Sequence, residues 1–317
     1  MNADAAAAPT AEVPTAEVIR CEQLTKLYPG GVLAVDRLDL TVFRGEIFGL
    51  LGPNGAGKTT CLRILLDIFK PDRGEVSILG GPMTEAKKDR IGYLPEERGL
   101  YQDIQLERCL IYLATLKGLS TSDARQRVSQ YLERFDLAEY RHKKLKELSK
   151  GMQQKAQLIV TLIHEPEVII IDEPFNSLDP VNTQMVKDLL REERDHGKTI
   201  LMCTHQMHQV EELCDRLVLI DHGQTILYGT LEEIRHRFTT HDILVRAPDG
   251  LPNTIRGVQK LEPINGSTKL VLSPGATAQE VLHELVNQNI NLEQFEIAVP
   301  TLDEIFIRVV QGTGEPS

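Results

Sequence analysis

Short apolar runs recur along the chain, separated by segments whose apolar residues repeat with the period of a helix. Ile47-Phe48-Gly49-Leu50-Leu51, Val168-Ile169-Ile170-Ile171, Thr199–Met202 and Leu217–Ile220 read as strands. Runs that are apolar throughout, rather than at alternate positions, suit strands buried on both faces, and their alternation with helical segments predicts a mainly parallel sheet with helices on both sides. Residues 19–80 differ, with short apolar strands between turns such as Tyr28-Pro29-Gly30-Gly31 and Pro71-Asp72-Arg73-Gly74. From about 101 to 163 the period is helical. Leu106, Leu110, Ile111, Leu113 and Leu116 suggest one apolar stripe, with further periodic segments at Val128–Phe135 and Gln157–Ile163.

The pattern changes after about residue 240. Strands are expected at 242–247, 254–260, 267–272 and near 290–298, with helices near 278–288 and 302–311. Both helices open on a capping box, Thr277…Glu280 and Thr301…Glu304. The last carries Leu302, Ile305, Phe306, Val309 and Val310 on one face and ends before Gly312. The expected division is therefore a tail at 1–18, a large α/β domain at 19–238 with a helical part at about 97–165, and a small α+β domain at 239–317. The tail is rich in Ala, Pro and Thr, repeats Pro-Thr-Ala-Glu-Val at 9–13 and 14–18, and reads as disordered.

The chemistry begins at Gly52-Pro53-Asn54-Gly55-Ala56-Gly57-Lys58-Thr59-Thr60, of the form G-x-x-x-x-G-K-[ST]. An apolar strand precedes it and a helical segment from Cys61 follows, the context the motif requires. Its glycines let backbone N–H groups wrap around anionic phosphates at the positive end of the following helix. Lys58 would reach the β- and γ-phosphates and Thr59 would offer a hydroxyl to Mg²⁺. The chain therefore reads as binding a nucleoside triphosphate. Ile171 is followed by Asp172-Glu173. An aspartate at a strand end beside the phosphate loop would hold Mg²⁺ through water, and Glu173 would polarise a water for in-line attack.

Leu148-Ser149-Lys150-Gly151-Met152-Gln153 lies just before an apolar helix, with Leu148 24 residues before Asp172. It resembles the L-S-G-G-Q signature of the ATP-binding cassette (ABC) family, departing from it at Lys150 and Met152. Ser149 and the Gly151 backbone, at a helix N-terminus, make a second anion site. In the ABC family that site faces ATP held by the opposite subunit. The resemblance also implies that Asp179, in Asn176-Ser177-Leu178-Asp179, crosses a dimer interface. It implies that His205, after Thr204, senses the γ-phosphate, and that Tyr28, 24 residues before Gly52, stacks on adenine. One position departs from the family: Glu96, after Ile91-Gly92-Tyr93-Leu94-Pro95, stands where a glutamine usually touches Mg²⁺ and the attacking water. It is expected to shape Mg²⁺ dependence without abolishing turnover.

The resemblance runs from about 19 to 235. Tyr93-Leu94-Pro95-Glu96-Glu97-Arg98-Gly99-Leu100-Tyr101 and Pro300-Thr301-Leu302-Asp303-Glu304-Ile305-Phe306 look like a bacterial branch of exporter ATPases related to sodium and drug efflux. That branch implies a paired subunit, with a second copy or a paralogue, at the cytoplasmic face of the membrane beneath a separate permease. Residues 97–116 would receive the permease's coupling helix. The rival readings are a soluble ABC ATPase acting on ribosomes or DNA, and an ATP-switched regulatory module.

Composition narrows these. A net charge of −11 argues against nucleic acid as partner, since phosphate-binding surfaces need clustered Lys and Arg. No apolar stretch approaches the ~20 residues that span a bilayer, and the first 18 residues lack the form of a secretory signal. A membrane role is therefore expected through a partner. Cys21, Cys61, Cys109, Cys203 and Cys214 show no metal-binding spacing and read as reduced, mostly buried thiols.

Overall fold

The computed structural model describes residues 16–97, 99–238, 242–264 and 266–310. The chain divides between Leu231 and Glu232 into two compact units. In the first, β1 (Glu17–Tyr28), β2 (Val32–Phe43) and β3 (Ile47–Leu51) lead to α1 (Lys58–Leu65), β4 (Arg73–Ile78), α2 (Glu85–Lys88) and β5 (Ile91–Leu94). Three longer helices follow, α3 (Leu106–Leu116), α4 (Thr121–Arg134) and α5 (Lys150–Leu162). The chain then returns to β6 (Val168–Asp172), α6 (Pro180–Asp195), β7 (Thr199–Thr204), α7 (Met207–Leu213), β8 (Arg216–Asp221) and β9 (Gln224–Thr230).

Six strands form one sheet in the order β5-β6-β7-β3-β8-β9. Every neighbouring pair is parallel except β8 and β9. β3, β6 and β7 are buried at every residue, as continuous apolar runs require. The order β2-β1-β4 makes a separate antiparallel sheet. One core joins its Leu24, Leu38 and Leu40 to Leu62 of α1 and Phe48 and Leu50 of β3. The fold is α/β, with a mainly parallel core, an antiparallel part and a helical part.

Half-buried Arg216, at the start of β8, ties the two sheets together. Its guanidinium donates to the Thr41 carbonyl and the Glu46 carboxylate, both at 3.1 Å, and to the Tyr228 hydroxyl at 2.7 Å. It also lies 4.7 Å from the ring centre of Phe43, 5.1 Å from Tyr228 and 5.6 Å from Phe48. Burial still pushes the Glu46 carboxyl up, against the N–H of Phe43 and the charge of Arg216.

In the first unit three details differ from the sequence expectation. β1 opens at Glu17, inside the segment read as tail. Val18 is buried and its carbonyl accepts the Leu79 N–H at 2.7 Å; residues 1–15 lie outside the described residues. On α3 the buried face is Leu106, Cys109, Leu110 and Ala114, while Leu116 is 60% exposed. Small Cys and Ala let neighbours approach closely, so bulk misjudges the phase of the stripe. The helical part also departs from a single period, because single-turn helices at Ala138–Tyr140 and Leu145–Glu147 separate α4 from α5.

The second unit contains α8 (Leu231–Phe238) from Glu232 onward, so the division falls seven residues before the expected one after 238. Its β10 (Ile243–Arg246), β11 (Val258–Ile264), β12 (Ser267–Leu272) and β13 (Gln294–Ile297) form an antiparallel sheet ordered β11-β12-β10-β13. α9 (Ala278–Asn287) buries Val281 and Leu285 in its core with Ile243, Val245 and Leu270, and α10 (Leu302–Val310) ends the described chain. Both capping boxes form; Gly312 lies outside the described residues, as does Arg98. The strand expected at 254–260 instead starts at Val258, after a turn in which the Val258 N–H reaches the Ile255 carbonyl and Gly257 takes φ 82°. It runs through Pro263, which an edge strand tolerates.

Replacing Arg216 by Met should leave Glu46 buried without its cation and cost about 3–5 kcal/mol. The check is a lower urea midpoint for the variant; an unchanged midpoint would show that the two sheets hold without it.

Candidate nucleotide site

The site lies at the carboxyl ends of three adjacent strands. β3 delivers the loop 52–57, β6 delivers Asp172 and Glu173, and β7 delivers Thr204 and His205. Ligands of parallel α/β sheets sit outside such ends. Two glycines shape the loop. Gly52 takes φ 155° and Gly57 φ 105°, and a Cβ on either would lie 2.2 Å from the Ile220 carbonyl or 2.1 Å from the Ala34 carbonyl. Buried Ala56 anchors the loop from beneath, its N–H on the Pro53 carbonyl and its carbonyl receiving the Gly223 N–H. Gly57 leads directly into α1, whose N-terminal amides face an anion placed in the loop.

A cleft of about 470 Å³ opens over this loop. Asn54, Gly55, Gly57, Lys58, Thr59 and Thr60 line it, with Tyr28, Val32 and Ala34 from the β1–β2 hairpin and Glu96, Asp172 and Glu173 opposite. Lys58 Nζ donates to the carbonyls of Gly52 (2.7 Å) and Pro53 (3.1 Å), so its charge is held within the loop. Thr59 donates to Asp172 Oδ2 at 3.1 Å. The Tyr28 hydroxyl lies 3.2 Å from Thr60 Oγ1, and its ring meets Phe69 edge-on at 6.1 Å.

The acidic side is built with care. Burial pushes the Asp172 carboxyl up, while the Cys203 thiol and the Thr59 hydroxyl draw it back and the charges of Glu96 and Glu173 add to the rise. A carboxyl so placed favours a cation or a proton beside it. Glu173 is buried, with φ 52°. Its Oε2 accepts from Thr204 Oγ1 at 2.9 Å, and its Oε1 accepts from the His205 N–H at 3.0 Å and faces His205 Nδ1 at 2.6 Å.

The residues fit Mg²⁺. Among the described residues no three His, Cys, Asp or Glu side chains gather to hold a metal unaided. A hydroxyl and a carboxylate oxygen 3.1 Å apart, with Glu96 on the same cleft, are the hard and sparse donor set that Mg²⁺ completes with water and phosphate oxygens. Ser149, Gly151 and Asp179 are absent from the lining of this cleft and gather elsewhere. Ser149 caps α5, accepting the Met152 N–H at 3.2 Å. Asp179 caps α6, accepting the Asn182 N–H at 2.9 Å. A Cβ on Gly151 would lie 3.4 Å from the Ser177 carbonyl, so the two caps share one neighbourhood.

Comparison with known proteins decides the family. The ABC transporter family pattern matches residues 35–176, and the pattern for the ATP-binding protein DrrA1-3-like C-terminal domain matches 229–310. The uncharacterized ABC transporter ATP-binding protein YhaQ of Bacillus subtilis is 37% identical over 94% of this chain and 100% of its own length. The chain belongs to the ABC transporter ATP-binding proteins. The daunorubicin resistance ATP-binding protein DrrA3 of Streptomyces coeruleorubidus is 34% identical, over 88% of this chain and 92% of that one. A solved ATP-binding subunit of an ABC transporter superposes with a TM-score of 0.65 at 31% identity, covering 70% of this chain and 93% of that one. CbiO1 of Clostridium perfringens, described as part of the complex cbiONQ, gives a TM-score of 0.61 at 27% identity, covering 69% and 90%.

As an ABC ATPase, the chain binds and hydrolyses ATP, and its likeness to drug-resistance proteins places it near the exporter-like branch. The sequence marked no role for three residues that hold the predicted site residues or the segments carrying them. Thr204 holds Glu173, Cys203 gives its carbonyl to the Glu173 N–H and its thiol to Asp172, and Gln157 reaches the Glu97 carbonyl. The β6–β7 pairing could have pointed to Cys203; nothing in the sequence marks the other two.

Gly57→Ala forces a side chain into left-handed backbone and against a carbonyl. It should cost at least about 1–2 kcal/mol and abolish the rise in melting temperature that ATP confers. A variant still stabilised by ATP as wild type would show that the loop can open around a Cβ.

Proposed function

We propose that the chain powers export through a separate membrane permease. Two copies, or this chain and a paralogue, close on two Mg-ATP with the Ser149 and Gly151 end of one facing the cleft of the other. The observation that carries this reading is Glu173 fixed over the phosphate loop while the second anion site of the same chain lies elsewhere. Such a division of parts suits a site completed by another subunit.

Each residue has a task in this reading. Amides of 52–57 and Lys58 bind the phosphates. Thr59 and Asp172 hold Mg²⁺, with Glu96 as an added oxygen donor. Mg²⁺ would neutralise charge on the phosphate oxygens. Glu173 orients a water and takes its proton, His205 reports the γ-phosphate, and Tyr28 carries the base. Asp179 meets the partner subunit.

No described helix is long and apolar enough to cross a membrane; in this reading the permease is a separate chain and this subunit sits at its cytoplasmic face. Its docking surface is the exposed apolar patch around α3. Tyr101 and Tyr112 are each 48% exposed with ring centres 6.0 Å apart, beside exposed Ile104 and Leu116. The names of the relatives favour a drug-like cargo.

Glu173→Gln keeps the size of the side chain and removes the base. ATP binding should persist while hydrolysis falls about 10²–10⁴-fold, and the dimer should accumulate on size exclusion with Mg-ATP. Tagged Glu173→Gln protein, loaded with Mg-ATP in native membranes, should retain a polytopic membrane protein. Wild-type turnover would remove Glu173 from the mechanism. Recovery of ribosomes or soluble partners alone would overturn the exporter reading and leave the ATPase standing.

A further inference from the structure

Helix α5 presents three buried hydrogen-bonding side chains on one side. Gln154, Gln157 and Thr161 are spaced i, i+3 and i+7, which places them in one line along a helix, and each is at most 4% exposed. Gln154 Nε2 donates to the Pro174 carbonyl at 3.3 Å, Gln157 Nε2 to the Glu97 carbonyl at 3.2 Å, and Thr161 Oγ1 to the Tyr93 carbonyl at 3.3 Å. Those carbonyls belong to the two segments that carry Glu96 and Glu173. The helix that begins at Ser149 thus grips both.

Gln157 stands apart from its neighbours. Its Oε1 is buried and has no hydrogen-bond partner among the described residues. A buried amide with one unmet acceptor is costly, and an aliphatic side chain of the same length would pack there without that cost. The amide is therefore there for what its N–H₂ group holds, and that is the residue next to Glu96.

We propose that Gln157 is a positioning residue for ATP hydrolysis. It anchors the Glu97 carbonyl to α5 and so sets the place of Glu96 beside Asp172 at the cleft. Through the same helix, movement at the Ser149 end reaches Glu96. The inference rests on the reading of Glu96 as an added Mg²⁺ donor. Gln157 touches neither nucleotide nor metal, so its effect runs through the backbone of the 95–97 segment.

The test compares ATPase rate against Mg²⁺ concentration for wild type, Gln157→Met, Glu96→Gln and the double variant, with ATP affinity measured separately. Gln157→Met should raise the Mg²⁺ concentration for half-maximal rate roughly 10-fold, as loss of an outer partner of a metal donor does, with ATP affinity unchanged. The double variant should match Glu96→Gln alone, because both changes act through one carboxylate. If Glu96→Gln shifts the Mg²⁺ dependence and Gln157→Met does not, or if the two effects multiply, the positioning role is overturned and the Glu96 reading survives. If Glu96→Gln shifts nothing, the Glu96 reading fails and takes this inference with it. Should Gln157→Met not fold, Gln157→Leu also removes the donor with an apolar side chain and is judged by the same comparison.

Discussion

The functional site depends on the register of three parallel strands. β6, β7 and β3 lie side by side, with Asp172 paired to Cys203, Cys203 to Leu50 and Thr204 to Leu51. A row of backbone pairing thus runs from Asp172 to the last residues before Gly52. Strand spacing of roughly 5 Å makes the ends of these strands neighbours whatever their distance in sequence. Thr59 and Asp172, 113 positions apart in sequence, are joined by one 3.1 Å hydrogen bond. A slip of one residue in β6 would turn Asp172 to the opposite face of the sheet. Total burial of β6 and β7 resists such a slip, since every position on both faces is packed.

Those same facts explain what could be read in advance. The loop 52–60 was legible because its chemistry is local: glycines where a Cβ would strike a carbonyl, then a helix start. Asp172 and Glu173 were legible as charges ending an apolar strand. Thr204 was not recognised as a partner of Glu173, because a threonine at a strand end is ordinary until the fold places it 2.9 Å from a carboxylate. Gln157 sat inside a periodic helix, where a polar residue reads as solvent-facing, yet it is 4% exposed. The α3 stripe and the start of β11 were misjudged for a related reason. Small residues can line a core face, and a single glycine turn can delay a strand, so patterns of bulk and polarity carry both only weakly.

The grouping of site residues into two places follows from how helices start. Ser149 and Asp179 both spend their side chains on the third amide of the helix they begin. Capping and anion binding are compatible uses of a serine at this place, because the hydroxyl retains a donor after accepting. For an aspartate they are not, since a carboxylate only accepts. Asp179 is thus suited to meet donors rather than phosphate, which fits a contact to a neighbouring chain better than one to nucleotide.

Glu173 poses a sharper chemical constraint. A carboxylate offers about four acceptor sites, and Thr204, the His205 N–H and the His205 ring occupy three. One remains for a water. Because the carboxylate cannot donate, the hydrogen between it and the ring sits on His205 Nδ1, which in the neutral ring makes Nε2 an acceptor. A phosphate oxygen also only accepts. For His205 to hold Glu173 and a γ-phosphate together, the ring must carry both hydrogens and a positive charge. That charge would lie between two anions and lower the cost of bringing them together. In the proposed mechanism Glu173 acts from a fixed place, held by three of its acceptor sites and carried on left-handed backbone with φ 52°.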